Sequence, residues 1–129
     1  MSTDINTNNG IILETLNEKV DLDGGNYKPR VINLGTISGP VDLIGNRVYA
    51  AKVNGATTFR LPEVTEDDVF MEINILMRVE NTPTINWGTN YFFYKRAPQV
   101  TTGNYDVYYN YDVLLKQWVC SVILKGEAA

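Results

Sequence analysis

From about residue 31 onward, hydrophobic and polar positions alternate with a period of two. The longest run is VFMEINILMRV, residues 69 to 79. Val69, Met71, Ile73, Ile75, Met77 and Val79 share one face, while Glu72, Asn74 and Arg78, with Phe70 and Leu76, take the other. Successive side chains of a strand point to opposite faces, so the run predicts a strand with one buried side. Residues 104 to 111 repeat the pattern, with Tyr105, Val107, Tyr109 and Tyr111 set against Asn104, Asp106, Tyr108 and Asn110. Shorter runs predict strands at 31–34, 47–53, 57–61, 84–87, 91–94 and 117–124. GTISGP reads as the end of the first of these. Asn54-Gly55 reads as a tight turn that makes 47–61 a hairpin, and DVLLK joins the last two strands as another. Short strands at roughly 8 to 12-residue spacing, punctuated by Gly, Pro and Asn, predict a mainly β fold. The expected form is a small antiparallel β-sandwich or jelly-roll-like domain over 29–129.

Residues 1–28 carry a different pattern. After a polar stretch rich in Asn and Thr, Leu13, Leu16 and Val20 fall at i, i+3 and i+7, and Ile12 and Leu16 at i and i+4. This predicts a short N-terminal helix with a narrow apolar stripe. Asp23-Gly24-Gly25-Asn26 would end it, and Pro29 sets the following chain extended. A helix this short is marginal in water, so its stripe needs a partner. The 3-4 spacing favours other copies of the chain. Its own β domain is the other candidate partner, and with copies favoured residues 1–28 are expected to be an oligomerisation arm, with Ile5, Ile12, Leu13, Leu16 and Val20 as its contact residues. The arm is also acidic, with five carboxylates against two lysines, whereas the remainder has ten against nine basic residues.

Composition narrows the chemistry. The chain has 129 residues, 44% hydrophobic and 20% charged, which suits a folded domain plus an appendage. Net charge is −4, so no electrostatic footprint for nucleic acid is expected. No apolar run reaches the ~20 residues of a membrane-spanning helix. The opening MSTDINTNNG has neither the basic nor the apolar region of a secretory signal. There is no histidine, which removes Ser-His-Asp and Cys-His nucleophile pairs and histidine metal sites. The single cysteine, Cys120, sits in an apolar strand and reads as a small buried hydrophobe. It fits synthesis in a reducing cytoplasm. DLDGGN opens like a calcium loop, but the sixth and twelfth positions from Asp21 hold Asn26 and Ile32, where an EF-hand needs Gly and Glu. The acidic run TEDD, residues 65–68, reads as a solvated turn. The expectation is therefore no metal, no cofactor and no catalytic residue. Paired carboxylates such as Glu72 and Asp106 are the one enzymatic chemistry left open, since glycosidases need only two acids.

Aromatic residues crowd the last third of the chain. Packing in a core or subunit interface is their commonest use. The functional alternative is a carbohydrate platform, in which rings stack on sugar C–H faces and amides bind hydroxyls. Trp87, Tyr91, Tyr108 and Asn110 are the candidate glycan contacts.

The stretch IILETLNEKVDLDGGNY, residues 11 to 27, resembles the N-terminal segment of bacteriophage fibre proteins. These combine a polar arm, a short helix-turn and a β-rich trimeric body. INWGTNYFFYKRAP, GNYDVYYNYD and the Trp118 strand are similar, more loosely, to the small β-domains at the ends of such proteins. The resemblance implies a non-catalytic homotrimer in the virion, made in the host cytoplasm and attached to capsid, collar or tail proteins. A head fibre suits the length and the lack of shaft repeats best. A receptor-binding module of a tail fibre, bound to bacterial surface glycans, is the alternative it implies.

Overall fold

Strand β3 (Glu72–Val79) bears out the alternation of its sequence: Ile73, Ile75, Met77 and Val79 are buried, and Glu72, Asn74, Leu76 and Arg78 lie on the opposite face. The structure, a computed structural model, describes residues 30–126. The arm residues Ile5, Ile12, Leu13, Leu16 and Val20, and the helix expected to hold them, lie outside the described residues. Besides β3 there are β1 (Val31–Asp42), β2 (Arg47–Arg60), β4 (Ile85–Asn86), β5 (Tyr91–Phe93), β6 (Gly103–Asp112) and β7 (Gln117–Gly126). No helix occurs among the described residues. The fold is mainly β, as expected. All strands join one sheet in the order β1-β2-β3-β6-β7-β5, with β4 beside β2.

The pairing differs from the antiparallel expectation. β3–β6 and β6–β7 are antiparallel, but β1–β2, β2–β3, β2–β4 and β5–β7 are parallel. Consecutive parallel strands normally need a crossover of a dozen or more residues. Here only Leu43 to Asn46 separates β1 from β2. Five Cα–Cα steps of 3.8 Å cover at most about 19 Å, whereas a straight 14-residue strand runs about 45 Å. Both strands must therefore bend back on themselves, and their registers mark where. In β1, Leu34 is an extra residue between the pairs Asn33–Ala50 and Gly35–Ala51. Gly35 adopts φ +72°, and its N–H donates to Asn33 Oδ1 at 2.9 Å. In β2, Asn54 to Ala56 bulge between the pairs Ile37–Val53 and Gly39–Thr57, with Gly39 at φ +81°.

Two sequence expectations are corrected by this. Asn54-Gly55 does not turn a hairpin; it is a bulge within one long strand. GTISGP does not end β1; the strand passes through it. Beyond the bulge β2 exchanges partners, from β3 over Arg47–Val53 to β4 over Thr57–Thr58. The hairpin at DVLLK does form, between β6 and β7. Asp112 Oδ1 accepts from the N–H groups of Leu114 and Leu115, and Lys116 takes φ 56°.

The bend lets the sheet enclose a core. Phe59, from the far half of β2, packs on Trp87 with centroids 6.1 Å apart, and Trp87 meets Phe93 edge-on at 6.0 Å. Tyr109 of β6 donates its hydroxyl to the Trp87 carbonyl at 2.7 Å. Trp118 receives the edges of Tyr109 and Tyr111. Val53, Ile73, Ile75, Val79, Val107 and Cys120 fill the centre at 0% exposure.

Candidate ligand-binding face of the sheet

The outward face of β3, β6 and β7 carries one aromatic ring, Tyr108, among amides, carboxylates and a hydroxyl. Alternation alone decides which residues emerge; register decides which stand together. Glu72 pairs with Asn110, Asn74 with Tyr108, and Leu76 with Asp106. Across the next strand Tyr108 pairs with Ser121 and Asn110 with Val119. The Tyr108 hydroxyl donates to Glu72 Oε1 at 2.6 Å. Asn74 Nδ2 donates to Asp106 Oδ1 at 2.6 Å and to the Val107 carbonyl at 2.9 Å. Desolvation, then the hydrogen bond to Glu72 and the charge of that carboxylate, push the Tyr108 phenol up to about 12. At neutral pH Tyr108 is thus a proton donor with a half-exposed ring, flanked by amides and carboxylates. That arrangement can stack on a sugar face and bind hydroxyls, but it offers no free base at Tyr108.

Of the four candidate glycan contacts, only Tyr108 and Asn110 share this face. Trp87 is corrected: at 6% exposure it stands inside the core between Phe59 and Phe93, so neither face of its indole is open for stacking. Tyr91 pairs with Trp118 on the inner side and packs edge-on against Phe93 at 5.3 Å. Burial, then the neighbouring Cys120, raises its phenol pKa. Glu72 and Asp106 do emerge on one face, but four residues apart along the strands, a backbone separation of about 13 Å. Asn74 and Tyr108 stand between them, each binding one carboxylate. Glycosidase pairs sit closer than about 10 Å.

Asn74 and Ser121 also belong to this face and were not singled out from the sequence. The alternation of β3 showed the outward direction of Asn74 but not its register against Tyr108, and the mostly apolar run of β7 showed neither for Ser121. Among the described residues no group of three or more His, Cys, Asp or Glu side chains converges as a metal site. Comparison with protein families, with curated proteins and with solved structures finds no match to this chain.

Proposed function

We propose that the chain is a non-catalytic structural protein of a bacteriophage virion: a short trimeric fibre of the head-fibre type. Residues 1–28 attach it to the particle, and the β domain, closed on itself in the manner of a sandwich, is the knob. The resemblance of residues 11–27 supports the class. The observation that carries assembly is an apolar end of the sheet. Ile44, Phe70, Leu114 and Leu115 are 54 to 90% exposed in the single chain. They flank the start of β2, the start of β3 and the β6–β7 turn, tied together by Asn46 N–H to the Glu72 carbonyl and Tyr111 N–H to the Met71 carbonyl. Large apolar side chains exposed at one end mark a surface for a partner. Sedimentation equilibrium of the full chain is expected to give about three times 14.5 kDa. A monomer at tens of micromolar overturns the reading. Leu16→Asp is expected to weaken the trimer, since it sets three charges into one seam.

The outward face favours a second reading, a carbohydrate-binding module. Tyr108 with Asn74, Asn110 and Ser121 supplies a ring and hydroxyl partners side by side. On a glycan array, binding lost in Tyr108→Ala with circular dichroism retained selects this reading. Undiminished binding in that variant excludes this face.

A further inference from the structure

On the same outward face as Tyr108, but two rows and about 13 Å along β6 from it, the register sets Thr36, Lys52, Arg78 and Asn104 in one row across β1, β2, β3 and β6. A second row, Asn33, Ala50 and Leu76, runs beside it and ends on Asp106, whose carboxylate accepts from Asn74. With Lys125 from the end of β7, these residues line an open trough of about 460 Å³. That volume lies within the range of small-ligand sites. Three features of its chemistry converge.

The trough is cationic in an acidic protein. Lys52, Arg78 and Lys125 line it, while the chain as a whole carries −4. Glu80 is the one carboxylate among the described residues that pairs with any of them, at 3.7 Å from Lys52 Nζ and 3.4 Å from Arg78 Nε. Arg78 therefore meets Glu80 through Nε and keeps both terminal amino groups for another acceptor. The two pairs are partly exposed and worth little, so an incoming anion competes with them readily.

The same trough has amide and hydroxyl groups on its walls, from Asn33, Asn104 and Thr36. These donate and accept, which matches neutral hydroxyls better than an anion alone. Its floor is small and apolar, from Gly35, Ala50 and Leu76. A compact inorganic anion would leave that floor and both amides unused. A ring that carries a carboxylate, several hydroxyls and an apolar C–H face uses all three.

We propose that this trough is a subsite for a carboxylated sugar unit of an acidic polysaccharide. The proposal rests on the glycan-binding reading of the outward face and gives that reading a substrate class. Arg78 and Lys125 hold the carboxylate, Asn33 and Asn104 the ring hydroxyls, and Leu76 and Ala50 underlie the ring.

The test is a titration of isotope-labelled full-length protein, followed by amide resonances, with three probes: oligogalacturonate, its methyl ester and inorganic phosphate. Oligogalacturonate is expected to move Thr36, Lys52, Arg78 and Asn104, and the methyl ester to bind at least tenfold more weakly. Lys125→Gln and Arg78→Gln, each with an unchanged circular dichroism spectrum, are expected to weaken oligogalacturonate at least fivefold. Raising salt is expected to weaken it as well. Lys125 is exposed near the end of β7, so its variant keeps the test valid should Arg78→Gln unfold. Equal binding of the methyl ester, or phosphate moving the same residues at the same concentration, overturns the sugar-carboxylate assignment. If neutral glycans move Tyr108 and Asn110 while the trough is silent, the trough proposal falls and the glycan reading survives. If no carbohydrate moves any resonance, both fall, and the fibre reading is judged separately by the sedimentation mass.

Discussion

Tyr109 joins the two halves of the core through one atom. Its ring is fully buried, and its hydroxyl caps the Trp87 carbonyl at 2.7 Å, in a segment that no regular strand pairing would otherwise hold to β6. Tyr109→Phe keeps the ring packing and removes the donor. A buried carbonyl left unpaired costs about 1 to 3 kcal/mol. A denaturant midpoint lowered accordingly, with an unchanged slope, is the expected result; an unchanged midpoint means that the carbonyl finds another donor. Cys120 pairs with Tyr109 across β6 and β7. Burial pushes its thiol up to about 12, and the nearby Tyr109 hydroxyl offsets that only in part. Thiolate is the reactive species, so the native thiol is expected to resist a disulfide reagent at pH 8 and to react at once in denaturant. Equal rates in both states would show that β7 opens freely.

Gly88 sets the geometry of the link between β4 and β5. It takes φ +135°, and a Cβ placed there would lie 2.8 Å from Leu61 Cδ1 and 3.5 Å from the Phe59 carbonyl. Leucine can yield, but the backbone conformation cannot be relieved by repacking. Gly88→Ala is expected to cost about 1 to 3 kcal/mol, measured as a shift in the thermal midpoint. Gly126→Ala, with open space around it, is the control expected to change nothing. What the sequence reveals about elements divides along the same physics. The inward and outward faces of β3 and β6 were legible because a half-buried sheet imposes a period of two. The shape of β1 and β2 was not, since Gly35, Gly39 and Gly55 signal only that the chain departs from regular extension. A turn and a bulge use the same residues, and the choice lies in which strand comes alongside, which is a tertiary matter. The candidate site divides likewise. Tyr108 and Asn110 were legible as outward groups, while Trp87 looked like a platform because its short strand gives no alternation to read. The convergence of Lys52, Arg78 and Lys125 depends on register across β2, β3, β6 and β7 and has no signature along the chain.

At the scale of the whole molecule, the buried and hydrogen-bonded acids of the β domain make folding sensitive to alkali. Tyr108 and Cys120 titrate at about 12 in the folded chain, and Tyr91 and Tyr109 are also raised above their ordinary value of 10. Burial is the first cause for each. These groups ionise only by giving up a proton, so a raised folded value means that the unfolded chain releases its protons first. The folded state then holds more protons than the unfolded one, and stability must fall as pH rises. Their contribution is fully present below about pH 9, where the unfolded thiol and phenols are still protonated. It starts to fade at the ordinary thiol value of 9 and phenol value of 10, and is lost as pH passes through the folded values. A proton fully withheld in the core, as at Tyr109 or Cys120, contributes a slope of about 1.4 kcal/mol per pH unit, and the solvent-screened Tyr91 and Tyr108 contribute less. Thermal midpoints are expected to be level across pH 7 to 8.5 and to drop steadily from pH 9.5 to 11.5. Phenolate absorbance from Tyr108 and Tyr109 should rise late, that of Tyr109 together with loss of the β signal. Tyr108→Phe removes one withheld proton from the outward face, and Cys120→Ala removes one from the core, so each should flatten the alkaline slope. A slope unchanged in both variants would show that neither group carries its proton into the folded state, and would also remove the Tyr108–Glu72 hydrogen bond from the description of the ligand face.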